Sequence, residues 1–226
     1  MVNTWIVVPA FNEAEIIVDV ISDLKDKGYT NIVVIDDGSS DSTSSAASKA
    51  GAITLKHKIN QGQGAALRTG INYCLSKGAE LIVTFDADGQ HSVKDIPRMI
   101  APVVSGNYDI SLGSRFLRQG SNVPIIRSIL LQGGAFMFLI FYGVKLTDSH
   151  NGFRVMSRHA AKSIRITCDR MEHASEIIEK IGKYKLKYKE IPVTIKYTSY
   201  SKSKGQGNLC AFKFLFNMLS RKLSRK

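Results

Sequence analysis

Between Thr4 and Gly89 the chain alternates short apolar runs with longer amphipathic segments, and that alternation constrains the fold more than any other feature. "TWIVVPA" (Thr4 to Ala10) has strand length. "NEAEIIVDVISDLKDKG" then has helical spacing, with Ile16, Ile17, Val20, Ile21 and Leu24 on one arc and a stop at Gly28. The pattern repeats. "NIVVIDD" reads as a strand, and "DSTSSAASKAG" as a helix with Asp41 as its N-cap. "AITLKHK" is a strand, "GQGAALRTGINYCLSKG" a helix and "ELIVTFDADG" a strand. Strands separated by helices of this length connect through right-handed crossovers. The expected class is α/β: one domain with a mostly parallel central sheet flanked by helices.

Each of these strands runs into acid or polar residues. Glu13 follows the first, Asp36 and Asp37 the second, and Asp86 and Asp88 the later one. In open α/β sheets the ligand crevice lies beyond the carboxyl ends of the strands. Carboxylates far apart in sequence are therefore expected to converge on one site. Asp86 and Asp88 are one residue apart and repel each other unless something positive lies between them. Mg²⁺ takes one or two carboxylates together with substrate phosphates and waters, and Mn²⁺ accepts the same ligands. The alternative role for the pair is to cap the next helix, but a cap does not need the other strand-end acids.

Composition excludes several classes. Hydrophobic residues at 44% and charged residues at 22% describe a globular chain. Cys74, Cys168 and Cys210 are odd in number and far apart, so neither a disulfide framework nor a zinc site is indicated, and a reducing cytosol fits. The opening residues read as a strand rather than a signal peptide. Charge is uneven. From Ile191 onward there is no Asp or Glu, and Lys196, Lys202, Lys204, Lys213, Arg221, Lys222, Arg225 and Lys226 carry +8 of the net +12. A basic, partly apolar tail suits an anionic membrane surface or nucleic acid.

The second half contains "YDISLGSRF", a strand with Arg115 at its end, then the uncharged run Ser128 to Val144 and "KLTDSHNGFRVMS". A helix, "MEHASEIIEKIGKYK", and a strand, "KYKEIPVTIKYTS", follow. Glu172, Glu176 and Glu179 are expected on that helix's polar face. Lys183, Lys185, Lys187 and Lys189 are expected to face solvent along the strand, and the five histidines to be surface or structural groups.

Six stretches occur in an order that resembles a known family: "VVPAFNE" (Val7 to Glu13), "VVIDDGSSDST" (Val33 to Thr43), "NQGQGAALRTG" (Asn60 to Gly70), "FDADGQH" (Phe85 to His91), "LGSRF" (Leu112 to Phe116) and "TDSHNGFRVMSR" (Thr147 to Arg158). Together they resemble the family-2 glycosyltransferases, in the branch of dolichol-phosphate mannosyltransferases and polyprenyl-phosphate glycosyltransferases. The resemblance implies a GT-A fold and a catalytic domain over residues 1–207. It implies that Pro9, Phe11 and Glu13 line a base and ribose pocket and that Asp36 or Asp37 bonds the nucleoside. Gly62 to Ala66, Gly64 among them, would let the helix approach the nucleotide. Asp86, Asp88 and Gln90 would hold Mg²⁺ or Mn²⁺ with the diphosphate. Arg115 and Arg127 would receive an acceptor phosphate, although relatives often place a Ser where this chain has Leu131. Asp148 would flank the acceptor, Glu176 matches a family position beside it, and the Ser199 to Gly207 loop, with Lys204, would close over the donor.

The implied reaction moves a hexose, with inversion, from a nucleoside-diphosphate sugar to polyprenyl phosphate at the cytoplasmic membrane face. A phosphate oxyanion needs little general base, whereas a sugar hydroxyl would need one, and Asp148 is then the candidate. Ser128 to Val144 falls short of the ~20 residues of a spanning helix and reads as interfacial or core. Residues 208–226 read as a basic amphipathic helix lying on the membrane, with Phe212, Leu215, Phe216, Leu219 and Leu223 on one side. A nucleic-acid-binding protein would instead interleave its basic residues with stacking aromatics.

Overall fold

The computed structural model describes residues 2–117, 139–149 and 151–196. Seven strands form one sheet: β1 (Thr4–Ala10), β2 (Ile32–Asp36), β3 (Ile53–Lys56), β4 (Leu81–Thr84), β5 (Ile110–Ser114), β6 (Arg154–Ser157) and β7 (Tyr188–Pro192), in the spatial order β3-β2-β1-β4-β6-β5-β7. Only β6 runs antiparallel to its neighbours, β4 and β5. The mostly parallel sheet is therefore present. The sequence reading passed over β6, a short strand inside the motif "NGFRVMSR".

Helices α1 (Ile17–Asp26), α2 (Thr43–Lys49) and α4 (Ile96–Val104) cover one face. Helices α3 (Gln63–Ser76), α5 (Arg158–Ile164) and α6 (His173–Lys183) cover the other. The alternation of β1 shows why both faces must be covered. Trp5 and Val7 join the core under α3, while Ile6, Val8 and Ala10 join the core under α1. A strand buried on both faces reads as a continuous apolar run, as "WIVVPA" does.

Pro9 lies inside this central strand, opposite Ile35 of β2. Its position follows from the ladder. Val7 O accepts from Phe85 N at 3.0 Å, so Val7 and every second residue face β4, and β4 ends at Thr84, opposite Val7. The missing N–H of Pro9 therefore points past the end of β4 and costs no ladder bond.

Two local expectations differ from what is found. Helix α2 starts at Thr43 with Ser42, not Asp41, as N-cap; Asp41, one residue before that cap, accepts from Thr43 N at 3.0 Å. The four lysines are exposed as expected, but they do not alternate along one strand: Lys183 closes α6, Lys185 takes a left-handed backbone with φ 52°, and only Lys189 lies in β7. Within the run Ser128 to Val144, residues 139–144 are described: Leu139 and Ile140 are exposed, and Val144 is buried. The other residues of that run, and the tail at 208–226, lie outside the described residues. No helix among the described residues is long and apolar enough to cross a membrane.

Candidate active site

The carboxyl ends of β1, β2 and β4 bring the acids together as sheet topology requires. Each loop is fixed to its neighbour. Asn12, at φ 55°, accepts from Ser40 N at 3.0 Å through its side chain, and its own N–H donates to Ser39 Oγ at 2.9 Å. Glu13 N donates to Thr43 Oγ1 at 2.8 Å. These bonds hold the loop after β1 against the loop after β2, leaving Phe11 exposed at 45% and Pro9 buried. Of the expected nucleoside-pocket residues, Phe11 thus offers a ring to solvent, whereas Pro9 serves the strand.

Asp36 and Asp37 are both buried, with different surroundings. Asp37 Oδ2 accepts from Gly62 N at 2.7 Å, and Oδ1 accepts from Gln61 N at 3.0 Å and lies 2.7 Å from His57 Nδ1. His57 Nε2 in turn lies 3.0 Å from Thr69 Oγ1. Asp37 therefore clamps the turn that opens α3. Asp36 Oδ1 accepts from Ser39 N, and its Oδ2 is buried without a hydrogen bond, 3.5 Å from Lys56 Nζ.

The glycines of "GQG" also have protein neighbours. A Cβ on Gly62 would meet Asp169 O at 2.5 Å, and one on Gly64 would meet Cys168 O at 2.0 Å. The sequence reading assigned this smallness to nucleotide approach. The structure places the Cys168–Arg170 backbone there instead.

Asp86 is held on every side. Gln63 Nε2 donates to its Oδ1 at 3.1 Å, and His91 Nε2 lies 2.9 Å from its Oδ2. A Cβ on Gly152 would stand 2.4 Å from Oδ2, so Gly152 lies flush against the carboxylate. His91 packs edge-on to Phe85 and tilted against Phe153, with centroids 5.5 and 5.2 Å away. Burial pushes the Asp86 carboxyl up, but the His91 hydrogen bond and the charges of His91, Arg154 and His173 outweigh it and hold the pKa below the usual value. Asp88 is opposite in sign. Burial, the charge of Asp86 and that of Glu13 raise its pKa, against the bond from Gln90 N to Oδ1 at 3.0 Å and the charge of His91. The surroundings of Asp88 thus disfavour its ionised form in the absence of a neighbouring cation.

No group of three or more His, Cys, Asp or Glu side chains among the described residues could enclose a metal ion. Two carboxylates and the Gln90 amide leave several positions of an octahedral cation open, a donor set that fits Mg²⁺ or Mn²⁺ only with substrate oxygens added. The segment after β7 is fastened to this loop: Lys196 N donates to Gln90 O at 2.8 Å, and Ile195 bridges His91.

At the residues expected to flank an acceptor, Asp148 Oδ2 accepts from Arg115 Nε at 2.7 Å and Arg115 N at 3.1 Å, with the Asp148 side chain fully buried. Glu190 supports this turn by accepting from Thr147 N, Thr147 Oγ1 and Asp148 N at 2.8–3.1 Å. Arg127 and Lys204 lie outside the described residues.

Glu176 is not on a polar face. It is buried in α6 and accepts from Thr167 N, Cys168 N, Thr167 Oγ1 and Lys180 Nζ. Burial pushes its pKa up, but bonds from Lys180, Thr167 and Cys168 outweigh this and hold it at about 2. Sequence reasoning missed Glu176, Glu190 and His91 as clamps, and missed Arg154 altogether. The available signal was a charged residue between apolar ones in "GFRVM".

A model of the glycosyl transferase family 2 matches residues 5–165. The chain belongs to glycosyl transferase family 2. Among relatives of this family-2 enzyme, an uncharacterised protein of Methanocaldococcus jannaschii is 42% identical over 223 residues, covering 97% of this chain and 92% of that one. The UDP-N-acetylglucosamine–dolichyl-phosphate N-acetylglucosaminyltransferase of Methanococcus voltae is 31% identical, covering 98% and 96%. The glycosyltransferase is thus related to dolichyl- and polyprenyl-phosphate sugar transferases. Glucosyl-3-phosphoglycerate synthase from Mycobacterium tuberculosis, solved with Mg²⁺ and uridine diphosphate, has a similar fold, with TM-score 0.69 at 18% identity over 97% of this chain and 79% of that one.

Proposed function

We propose that this glycosyltransferase moves a hexose from a nucleoside-diphosphate sugar to polyprenyl phosphate, with inversion, at the cytoplasmic face of a membrane. The observation that carries this reading is the state of Asp148. Its carboxylate is fully buried and accepts twice from Arg115. A general base must reach the proton it removes. Asp148 instead fixes a guanidinium, and a guanidinium recognises phosphate through paired donors. The relationship to an enzyme named for a dolichyl-phosphate acceptor supports the same choice.

In this reading Phe11, Glu13 and Asp36 face the nucleoside. Asp86, Asp88 and Gln90 would hold Mg²⁺ or Mn²⁺, and the ion when bound would supply Lewis-acid neutralisation of the leaving group. Gln63 and His91 keep Asp86 in its ionised, oriented form. Arg115, with Arg127, holds the acceptor phosphate. One phosphate oxygen bonds to the anomeric carbon from the face opposite the diphosphate, the bond to the diphosphate oxygen breaks, and no proton need be removed. The amphipathic tail, within a region from Ile191 onward that carries +8, would keep the enzyme at the lipid surface.

The test is a screen of radiolabelled uridine- and guanosine-diphosphate hexoses with polyprenyl phosphate in anionic vesicles. Lipid-extractable, mild-acid-labile label that needs Mg²⁺ or Mn²⁺ is the expected result. Label appearing only on hydroxyl-bearing glycolipid acceptors would overturn the phosphate assignment.

A further inference from the structure

Arg154 has a place in the fold that a surface-seeking residue would not adopt by default. It stands in β6, opposite Thr84 of β4 and Leu112 of β5, and is 3% exposed. Thr84 is two residues before Asp86. The two strands are further tied by Thr84 Oγ1, which donates to Gly152 O at 2.6 Å, and Gly152 lies flush against the Asp86 carboxylate. Arg154 is thus built into the wall behind Asp86. Its charge acts on both Asp86 and Asp148, yet among the described residues it makes no ion pair, and its Nη1 is buried without a hydrogen bond. Burial lowers its pKa to about 10, with Asp86 and Asp148 raising it in opposition, so it stays charged at neutral pH.

A buried guanidinium without direct pairing is costly, and here only the fields of Asp86 and Asp148 offset that cost. The oxygens of Asp86 accept from Gln63 and His91 instead. The cation therefore influences the carboxylate through space and does not occupy the oxygens a metal would use. The neighbouring His173 is held neutral: burial first, then the charge of Arg154, depress its pKa to about 4.

We propose that Arg154 is a positioning residue that sets the charge of the donor site, weakening binding of a lone divalent cation so that the ion is retained only together with the nucleotide diphosphate. This rests on the metal reading given above. With Arg154 present, a dication entering beside Asp86 and Asp88 meets a like charge across a region of low dielectric. The diphosphate brings enough negative charge to outweigh that repulsion. Once the diphosphate leaves, the repulsion favours release of the ion with it.

The test measures Mn²⁺ binding by electron paramagnetic resonance of the free ion, with and without uridine or guanosine diphosphate, in wild type, R154M, R154Q and R154K. Circular dichroism checks the fold. Without nucleotide, R154M and R154Q should bind Mn²⁺ more tightly by roughly tenfold, the order expected for removing a like charge from a poorly screened site. R154K should stay near wild type, because it keeps the charge. With nucleotide the difference should shrink. If R154M does not fold, R154Q carries the comparison. Unchanged or weaker Mn²⁺ binding in the folded neutral variants overturns the role given to Arg154, as does equal weakening in all three, which marks a purely structural part. Wild-type protein that binds no Mn²⁺ even with either nucleotide overturns the metal reading itself, and this inference with it.

Discussion

The donor side of the molecule, β1 to β4, and the acceptor side, β5 to β7, use carboxylates in opposite ways. On the donor side Asp86 and Asp88 stand just past a strand end; Asp86 is held by Gln63 and His91, but the charge of Asp88 is offset only by the Gln90 N–H and the charge of His91 and is repelled by Asp86 and Glu13. On the acceptor side Asp148, Glu176 and Glu190 are each enclosed by donors that the protein itself provides. In the proposed reading, the first arrangement is an unfinished site that a cation would complete. The second is a finished scaffold that fixes where basic groups point. Asp37 shows that position in sequence does not decide between them: it sits on the donor side, one residue after β2, and is enclosed all the same.

The largest expected effect separates these two kinds of acid. Asp88→Ala should lower transfer by roughly 10³-fold, the rate equivalent of several kcal/mol of lost leaving-group stabilisation. Its thermal stability should stay within about 0.5 kcal/mol of wild type, since no core or clamp depends on it. Asp37→Ala should behave in reverse, losing about 2–4 kcal/mol of stability through the orphaned Gln61 and Gly62 N–H groups. Calorimetry and steady-state rates on both variants check the contrast. A stable Asp37→Ala protein would dissolve it.

Much of the donor side was legible in the sequence for a physical reason. Strands buried on both faces must be continuously apolar, so a charged residue after "VVI" or "IVTF" marks the strand's end, and the ends of parallel strands lie together. Asp36, Asp37, Asp86 and Asp88 could be gathered without coordinates. The acceptor side obeys no such rule. Glu176 recurs at helical spacing with Glu172 and Glu179 and reads as a polar stripe, but helix α6 turns it inward to bond the Thr167–Cys168 backbone. Strand β6 is antiparallel and short, and Arg154 opens it with a buried charge that only tertiary packing explains. Gly64 illustrates a subtler limit: the need for a small residue was readable, but the Cys168 carbonyl that imposes it comes from a segment far away in sequence.

The buried groups of the acceptor side should also govern acid stability, an effect somewhat smaller than the first. Glu176 has a folded pKa of about 2 against an ordinary 4.5. Its stabilisation is present above pH 4.5 and is lost as pH falls toward 2. His173 has a folded pKa of about 4 against 6.5, held down by burial and then by the charge of Arg154. The unfolded chain takes up that proton first, so this contribution is present above pH 6.5 and is lost between 6.5 and about 4. Each window corresponds to about 3 kcal/mol. Denaturant unfolding between pH 2.5 and 7.5, in EDTA, should show both losses. His173→Asn should flatten the upper window and Glu176→Gln the lower one. An unaltered slope in either variant would detach that residue from its window.

The smallest effect decides what the acceptor side is for. Arg115 donates twice to Asp148 and is set in place by it. If the acceptor is a phosphate, Arg115→Ala removes one charge-assisted contact, which costs about 1.5–3 kcal/mol and so about tenfold to a hundredfold in acceptor KM. The donor KM should barely move, because the donor is held by the strand-end acids. Asp148→Asn should be milder than Arg115→Ala. It keeps an amide oxygen that can accept one Arg115 bond, loosens the guanidinium, and raises acceptor KM while leaving substantial kcat. A hydroxyl acceptor reverses the ranking: with its base gone, Asp148→Asn would lose nearly all kcat, and Arg115→Ala would act only by letting Asp148 shift. The comparison therefore turns on the ratio of kcat to KM effects in two variants of one ion pair. Steady-state kinetics with polyprenyl phosphate and with a neutral prenyl alcohol supply it. A dead Asp148→Asn enzyme beside an Arg115→Ala enzyme with unaltered acceptor KM would transfer the role of base to Asp148 and the acceptor to a sugar hydroxyl.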